Sequence, residues 1–210
     1  MNKLGDLSCN EFLTELASAA PAPGGGGGAA MAGALAAALA SMVANLTIGK
    51  EKFADREPEV KELLEQAEAE RVRLLTLVDE DAAVFNSFMS CYKLPKTTDE
   101  EKAVRTAAIR AAAKQAAIVP LNIARSSFAV LKLADRLVVS GNPGVITDGA
   151  CSGLLARAAL RCAEYNVRIN LGLTKDEAWN AQAAADLKQL LADAEALETR
   201  LLAVTDKALQ

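Results

Sequence analysis

The residues of this sequence best suited to chemistry fall in three otherwise apolar stretches and one acidic step. The first stretch is a glycine run, Gly24, Gly25, Gly26, Gly27 and Gly28. The second is Ser140–Asp148, which holds Asn142, Thr147 and Asp148. The third is Asn166-Val167-Arg168-Ile169-Asn170, whose two asparagines share one face if the segment is helical. The acidic step is Asp79-Glu80-Asp81, with Asp81 four residues before Phe85. Histidine is absent. That removes the commonest general base, the commonest metal ligand and every Ser-His or Cys-His catalytic pair. Acid–base work therefore falls to carboxylates, lysine, tyrosine, cysteine or water. Each candidate also has a purely structural alternative. Asp148 can be a helix N-cap, Asn142 a turn residue, Asn166 and Asn170 a helix end, and Asp81 a solvated carboxylate.

The glycine run sits in a distinctive setting. Pro21-Ala22-Pro23 enters it, an alanine-rich segment from Ala29 leaves it, and no charged residue lies between Glu15 and Lys50. Prolines hold the entering chain extended, and alanine favours helix. The reading is a rigid entry, a glycine loop and the N-terminus of a buried helix, whose unpaired N–H groups attract anions. A Rossmann fingerprint fits poorly, because Pro21 and Pro23 occupy the place of the preceding strand. A P-loop is excluded, since no Lys-Ser or Lys-Thr follows the glycines.

Composition narrows the fold. Hydrophobic residues make up 51% of the chain but aromatics only 4%. Alanine thus supplies much of the apolar content, which suits closely packed helices and not a β-sandwich. Net charge is −4 and there is no basic tract, which argues against nucleic acid as partner. The four cysteines, Cys9, Cys91, Cys151 and Cys162, form no CxxC pair; without histidine there is no zinc set, and they read as buried, reduced thiols. The uncharged Leu16–Gly49 stretch is long enough to cross a bilayer. It is nevertheless dominated by glycine and alanine, and Asp6, Glu11 and Glu15 precede it where a signal peptide wants basic residues, so the expectation is a core helix.

The elements that must position these residues follow in order. Ser8-Cys9-Asn10-Glu11 is a capping box opening a short helix with Phe12, Leu13 and Leu16. The glycine-led helix follows, to a C-terminal cap at Gly49. Pro58 begins a third helix, whose apolar spacing continues to about Tyr92. At roughly 50 Å it is longer than one domain of this mass is wide, so part of it is expected to lie against a second copy of the chain. Leu94-Pro95-Lys96 breaks it, and Thr98–Glu101 is a second capping box. Helical spacing then runs from Val104 to Val139, with Pro120 expected to kink or split it. Ser140–Gly144 is a turn, and Asp148 caps the next helix, which ends at Asn170-Leu171-Gly172. Thr174–Glu177 reads as a third capping box before a final helix. The expectation is an all-α, single-domain chain (1–210) of six or seven long helices, forming an intertwined homodimer.

Taken in order, Pro-x-Pro-Gly-Gly-Gly before an alanine-rich helix, Leu94-Pro95-Lys96 with acidic residues and Arg105 after it, Gly141-Asn142 before Thr147-Asp148, and Asn166-Val167-x-Ile169-Asn170-Leu171 resemble the cyclodeaminase/cyclohydrolase family. The likeness covers nearly the whole chain. The chain departs from the family pattern at Gly27 and Thr147, where serine is frequent, and at Gly144, where a second asparagine is. The resemblance implies a helical homodimer that takes a tetrahydrofolate substrate with no metal and no further cofactor, and the reduced thiols fit a cytoplasmic protein. One implied reaction is hydrolysis of 5,10-methenyltetrahydrofolate to 10-formyltetrahydrofolate. The alternative is closure of 5-formiminotetrahydrofolate with loss of ammonia, and a non-catalytic folate-binding dimer is the last. On this reading Asp148 is the first choice for the carboxylate that faces the methenyl cation and takes a proton from water, and Asp81 the second. Asn142, Thr147, Asn166 and Asn170 contact the pterin, Gly24–Gly28 supply N–H groups, and Lys96 attracts the glutamate tail.

Overall fold

The computed structural model describes residues 3–210. It is all-α. Six α-helices run Cys9–Leu16 (α1), Gly25–Asn45 (α2), Glu57–Cys91 (α3), Asp99–Ser140 (α4), Ile146–Thr174 (α5) and Glu177–Ala208 (α6), with single 3₁₀ turns before α1, between α2 and α3 and between α4 and α5. There is no strand among the described residues.

Both N-terminal capping boxes form as their sequences dictate. Ser8 accepts from the Glu11 N–H, and Thr98 from that of Glu101, while each glutamate reaches back to its cap. Three other expectations are corrected. Asp148 is not the N-cap of α5; Val145 stands there, without a side-chain cap, and Asp148 lies within the first turn, where its charge still opposes the helix dipole. The cap of α6 is Asp176, which accepts from the Trp179 N–H at 3.1 Å, not Thr174. Helix α5 does not stop at Gly172; it runs on to Thr174 and ends at Lys175, which takes a left-handed conformation (φ 56°).

Pro120 neither splits α4 nor ends it: the helix is continuous for 42 residues. The tertiary contacts on both sides of Pro120, which is itself buried, outweigh the lost N–H. Alanine and glycine explain how α2 fits. Ala29, Ala30, Gly33, Ala36, Ala37, Ala40 and Ala44 are all buried, so α2 lies close against its neighbours. It runs antiparallel to α5. Ser152 donates to the Ala36 carbonyl at 2.7 Å, and the turn before α5 is tied to the C-terminal end of α2 through Asn142 N–H to Thr47 Oγ1 (2.8 Å) and Asn142 Nδ2 to the Leu46 carbonyl (3.1 Å).

The core is built from Leu74, Val78, Ile123, Leu131, Leu160, Val167 and Leu201, all fully buried, contributed by α3, α4, α5 and α6. Each such leucine contributes about 1.5–3 kcal/mol by leaving water. By length and composition α2 and α4 could each cross a membrane, yet 61% of each apolar window is buried within the fold. The cysteines are not the buried thiols expected: Cys9, Cys151 and Cys162 are exposed and Cys91 half-buried.

Candidate functional site

A cavity of about 370 Å³ opens where the N-terminal turn of α2, the C-terminal third of α3, the middle of α4 and the C-terminal part of α5 meet. Volumes of this order hold small ligands. Its carbon lining includes Phe85, Phe88, Val119, Ile169 and Leu173, and its polar groups are Asp81, Asn166, Asn170 and the backbone of Gly24–Gly26. Asp81 is the one ionisable side chain in that lining; no lysine or arginine belongs to it.

The glycines are not a loop but the first turn of α2, with Gly24 as N-cap. The reason for glycine is spatial. A Cβ on Gly26 would overlap the Asp81 carboxylate, and one on Gly27 would lie 3.3 Å from Pro23 Cβ. Without those side chains, Asp81 reaches across from α3 to the end of α2 and sets its carboxylate beside the backbone of Gly26 and Gly27. A carboxylate at a helix N-terminus meets both the dipole and otherwise unpaired donors. Burial, the larger influence, pushes the Asp81 carboxyl above the usual aspartate value, and the Gly27 N–H pulls in the other direction. A carboxylate held in this way is suited to accept a proton. The Gly28 N–H already bonds the Gly24 carbonyl (2.9 Å), so Gly28 offers nothing to a ligand.

Asn166 and Asn170 stand one turn apart on α5, as their spacing predicts. Asn166 Nδ2 donates to the Cys162 carbonyl at 2.9 Å, and its amide lies against Gly25, 3.4 Å from where that residue's Cβ would be. Asn170 Nδ2 donates twice, to the carbonyls of Ala116 and Asn166, both at 2.8 Å.

The remaining sequence candidates lie elsewhere in the chain. Asn142, Thr147 and Asp148 sit at the opposite end of α5; eighteen helical residues, or about 27 Å, separate Asp148 from Asn166. The uninterrupted α5 enforces that distance. Asn142 Oδ1 accepts the Gly144 N–H at 3.0 Å, so its side chain serves the turn, while Thr147 is exposed and Asp148 half-buried. Lys96 is exposed on the α3–α4 connection and does not line the cavity. Among the described residues no cluster of three or more histidine, cysteine or acidic side chains is arranged to hold a metal. Of the lining, Phe85 was legible through its spacing from Asp81. Ile169 was legible only as part of the Asn166–Leu171 motif, and Phe88 and Leu173 carried no signal apart from ordinary helical hydrophobicity.

Comparison with known proteins places this geometry in context. The family model described as formiminotransferase-cyclodeaminase matches residues 8–189. A methenyltetrahydrofolate cyclohydrolase of Methylorubrum extorquens is 44% identical over 94% of this chain and 95% of its own length. The formimidoyltransferase-cyclodeaminase of Sus scrofa is 34% identical over 87% of this chain, which spans only 34% of that longer protein. The crystal structure of a formiminotetrahydrofolate cyclodeaminase from Thermotoga maritima superposes with a TM-score of 0.88 at 30% identity, covering 98% of each chain.

Proposed function

Since the chain belongs to the formiminotransferase-cyclodeaminase family, we propose that the cavity beside Asp81 binds a reduced folate and hydrolyses 5,10-methenyltetrahydrofolate to 10-formyltetrahydrofolate. The chain is a folate one-carbon enzyme; which of the family's reactions it runs is the proposal. The carrying observation is electrostatic: a largely apolar cavity whose only ionisable lining group is a carboxyl suits a flat cation, and the methenyl form is an amidinium cation. Opposite charge in a water-poor site is a large contributor to catalysis. Phe85 and Phe88 offer faces and edges to a planar ring.

In the hydrolysis, a water oxygen bonds to the carbon between N5 and N10 as Asp81 takes its proton. The C–N5 bond of the resulting tetrahedral carbon then breaks as Asp81 returns its proton to N5 and the carbinol O–H gives its proton to solvent, leaving the formyl group on N10. Product formation removes the positive charge, so Asp81 favours substrate and early transition state over product. The second reading, closure of 5-formiminotetrahydrofolate with loss of ammonia, draws support from the Sus scrofa and Thermotoga maritima relatives. It too passes through a tetrahedral carbon between N5 and N10, which there carries the nitrogen that leaves as ammonia in place of a hydroxyl.

The proposal includes a homodimer in which Asp148 also reaches a cavity. The outer face of the α2–α5 pair carries uncovered apolar side chains: Leu35 and Met42 on α2, Leu46 just after it, and Leu154, Tyr165 and Ile169 on α5 are all exposed. Asp148 and Arg168 are equally spaced about Ala158 on α5. An antiparallel two-fold contact centred there would set Asp148 near the partner subunit's Arg168, beside the partner subunit's cavity. A parallel contact would set like charges together. Asn142 and Thr147 would arrive at the same place. We place the protein, as one domain without further cofactor, in the cytoplasm.

The test follows the near-ultraviolet absorbance of methenyltetrahydrofolate, which hydrolysis bleaches. Purified protein should bleach it well above the spontaneous rate and Asp81→Asn should not. Equal rates with and without protein, alongside rapid ammonia release from the formimino substrate, would reassign the reaction.

A further inference from the structure

Pro120 and Asn170 share one unpaired carbonyl. In a regular helix the Ala116 carbonyl accepts the N–H of residue 120. Proline has no N–H, so that carbonyl is left open on the cavity-lining side of α4, where Ala116 is half-buried. Asn170 closes the gap from α5, donating Nδ2 to Ala116 O at 2.8 Å while the same nitrogen donates to Asn166 O at 2.8 Å. An amide meeting two carbonyl oxygens at one end must place its nitrogen there. Both N–H bonds of Asn170 are therefore engaged, and Oδ1 remains as its only free group. Asn166 is turned the same way, with Nδ2 on the Cys162 carbonyl. Neither Oδ1 has a protein donor among the described residues, and both amides line the cavity.

We propose that Pro120 is a positioning residue which fixes Asn170, together with Asn166, as an acceptor edge that selects ligands presenting adjacent N–H donors. The inference rests on the folate reading. It adds which edge of the pterin is read: the 2-amino group and its neighbouring ring N–H, not the 4-oxo group. A ligand without those donors leaves buried acceptors unpaired, a loss of roughly 5- to 150-fold in affinity.

The test compares equilibrium binding of tetrahydrofolate and its 2-desamino analogue to wild type, Asn170→Ala and Pro120→Ala, with circular dichroism to show that each variant folds. Wild type is expected to prefer the 2-amino compound by at least 5-fold, and Asn170→Ala to bind the two nearly equally. Pro120→Ala restores a backbone N–H to Ala116 O and competes with Asn170. It should narrow the preference and raise KM while kcat stays close to wild type. An unchanged preference in both folded variants overturns the proposal and leaves the folate reading intact. If wild type binds neither compound, the folate reading fails and takes this inference with it.

Discussion

The Asp81 carboxylate occupies the volume that a Cβ on Gly26 would fill. A carboxylate from α3 and the bare first turn of α2 are thus mutually dependent. Gly26→Ala should push Asp81 off the helix end, costing about 1–3 kcal/mol as an overpacking change, even though alanine is the better helix former. Activity should fall with it. Thermal unfolding of Gly26→Ala and of Gly26→Ala/Asp81→Ala separates the effects: the double variant should recover most of the lost stability and none of the activity. A Gly26→Ala protein as stable and active as wild type would show that the contact has slack.

The pH dependence follows from the direction of the Asp81 shift. Burial raises its carboxyl above the ordinary 3.8. Below its pKa it carries a proton and cannot accept another, so kcat/KM should fall on the acid side with a midpoint above that ordinary value. A bound cation favours the ionised form, so the acid limb of kcat should lie lower than that of kcat/KM. Asp81→Asn should lower turnover by roughly 100-fold or more and abolish both limbs. A mutant that keeps the acid limb would assign it to another group.

How much of this was legible in the sequence depends on which residue is asked. The capping residues Ser8 and Thr98 announced their helices, because capping is local chemistry. The asparagine pair was legible because i, i+4 spacing guarantees one face. Pro120 misled, since its local cost is real and its compensation comes from α4's burial and from Asn170, fifty residues further along the chain. The glycines read as a loop because the carboxylate that requires them is more than fifty residues away. Asp148 looked like a partner of Asn166 on chemical grounds. Only the full length of α5 reveals that one chain cannot bring them together.

Asp135 makes a separate prediction about stability. It is 3% exposed, and Arg200 Nη2 lies 3.0 Å from its Oδ2, while Oδ1 has no partner. Burial raises its carboxyl pKa and Arg200 opposes this. Arg200→Met leaves the Asp135 carboxylate unpaired and, with Arg200 itself largely exposed, should cost about 1–2 kcal/mol at neutral pH. The sign with pH is fixed. A raised carboxyl pKa penalises the folded state as pH rises through it, so the deficit of the variant should shrink as pH falls toward the acid range, where Asp135 takes up a proton. Chemical denaturation of both proteins across that range measures it. A pH-independent deficit would point instead to lost packing of the Arg200 stem.

The proposed two-fold contact predicts complementation between two inactive chains. If each site combines Asp81 of one protomer with Asp148 of its partner, Asp81→Asn and Asp148→Asn homodimers are both defective at every site. A mixed dimer holds one site with both substitutions and one with neither. Co-refolding equal amounts should yield mixed dimers in about half the population, and so about one quarter of wild-type activity, on random pairing of a symmetric dimer. Light scattering on the mixture should give the mass of two chains. Placing charge on the uncovered face away from the cavity lining, as in Leu35→Lys/Leu154→Lys, should shift that mass toward one chain and remove the regained activity. A mixture no more active than its components would mean that Asp148 serves only its own helix terminus.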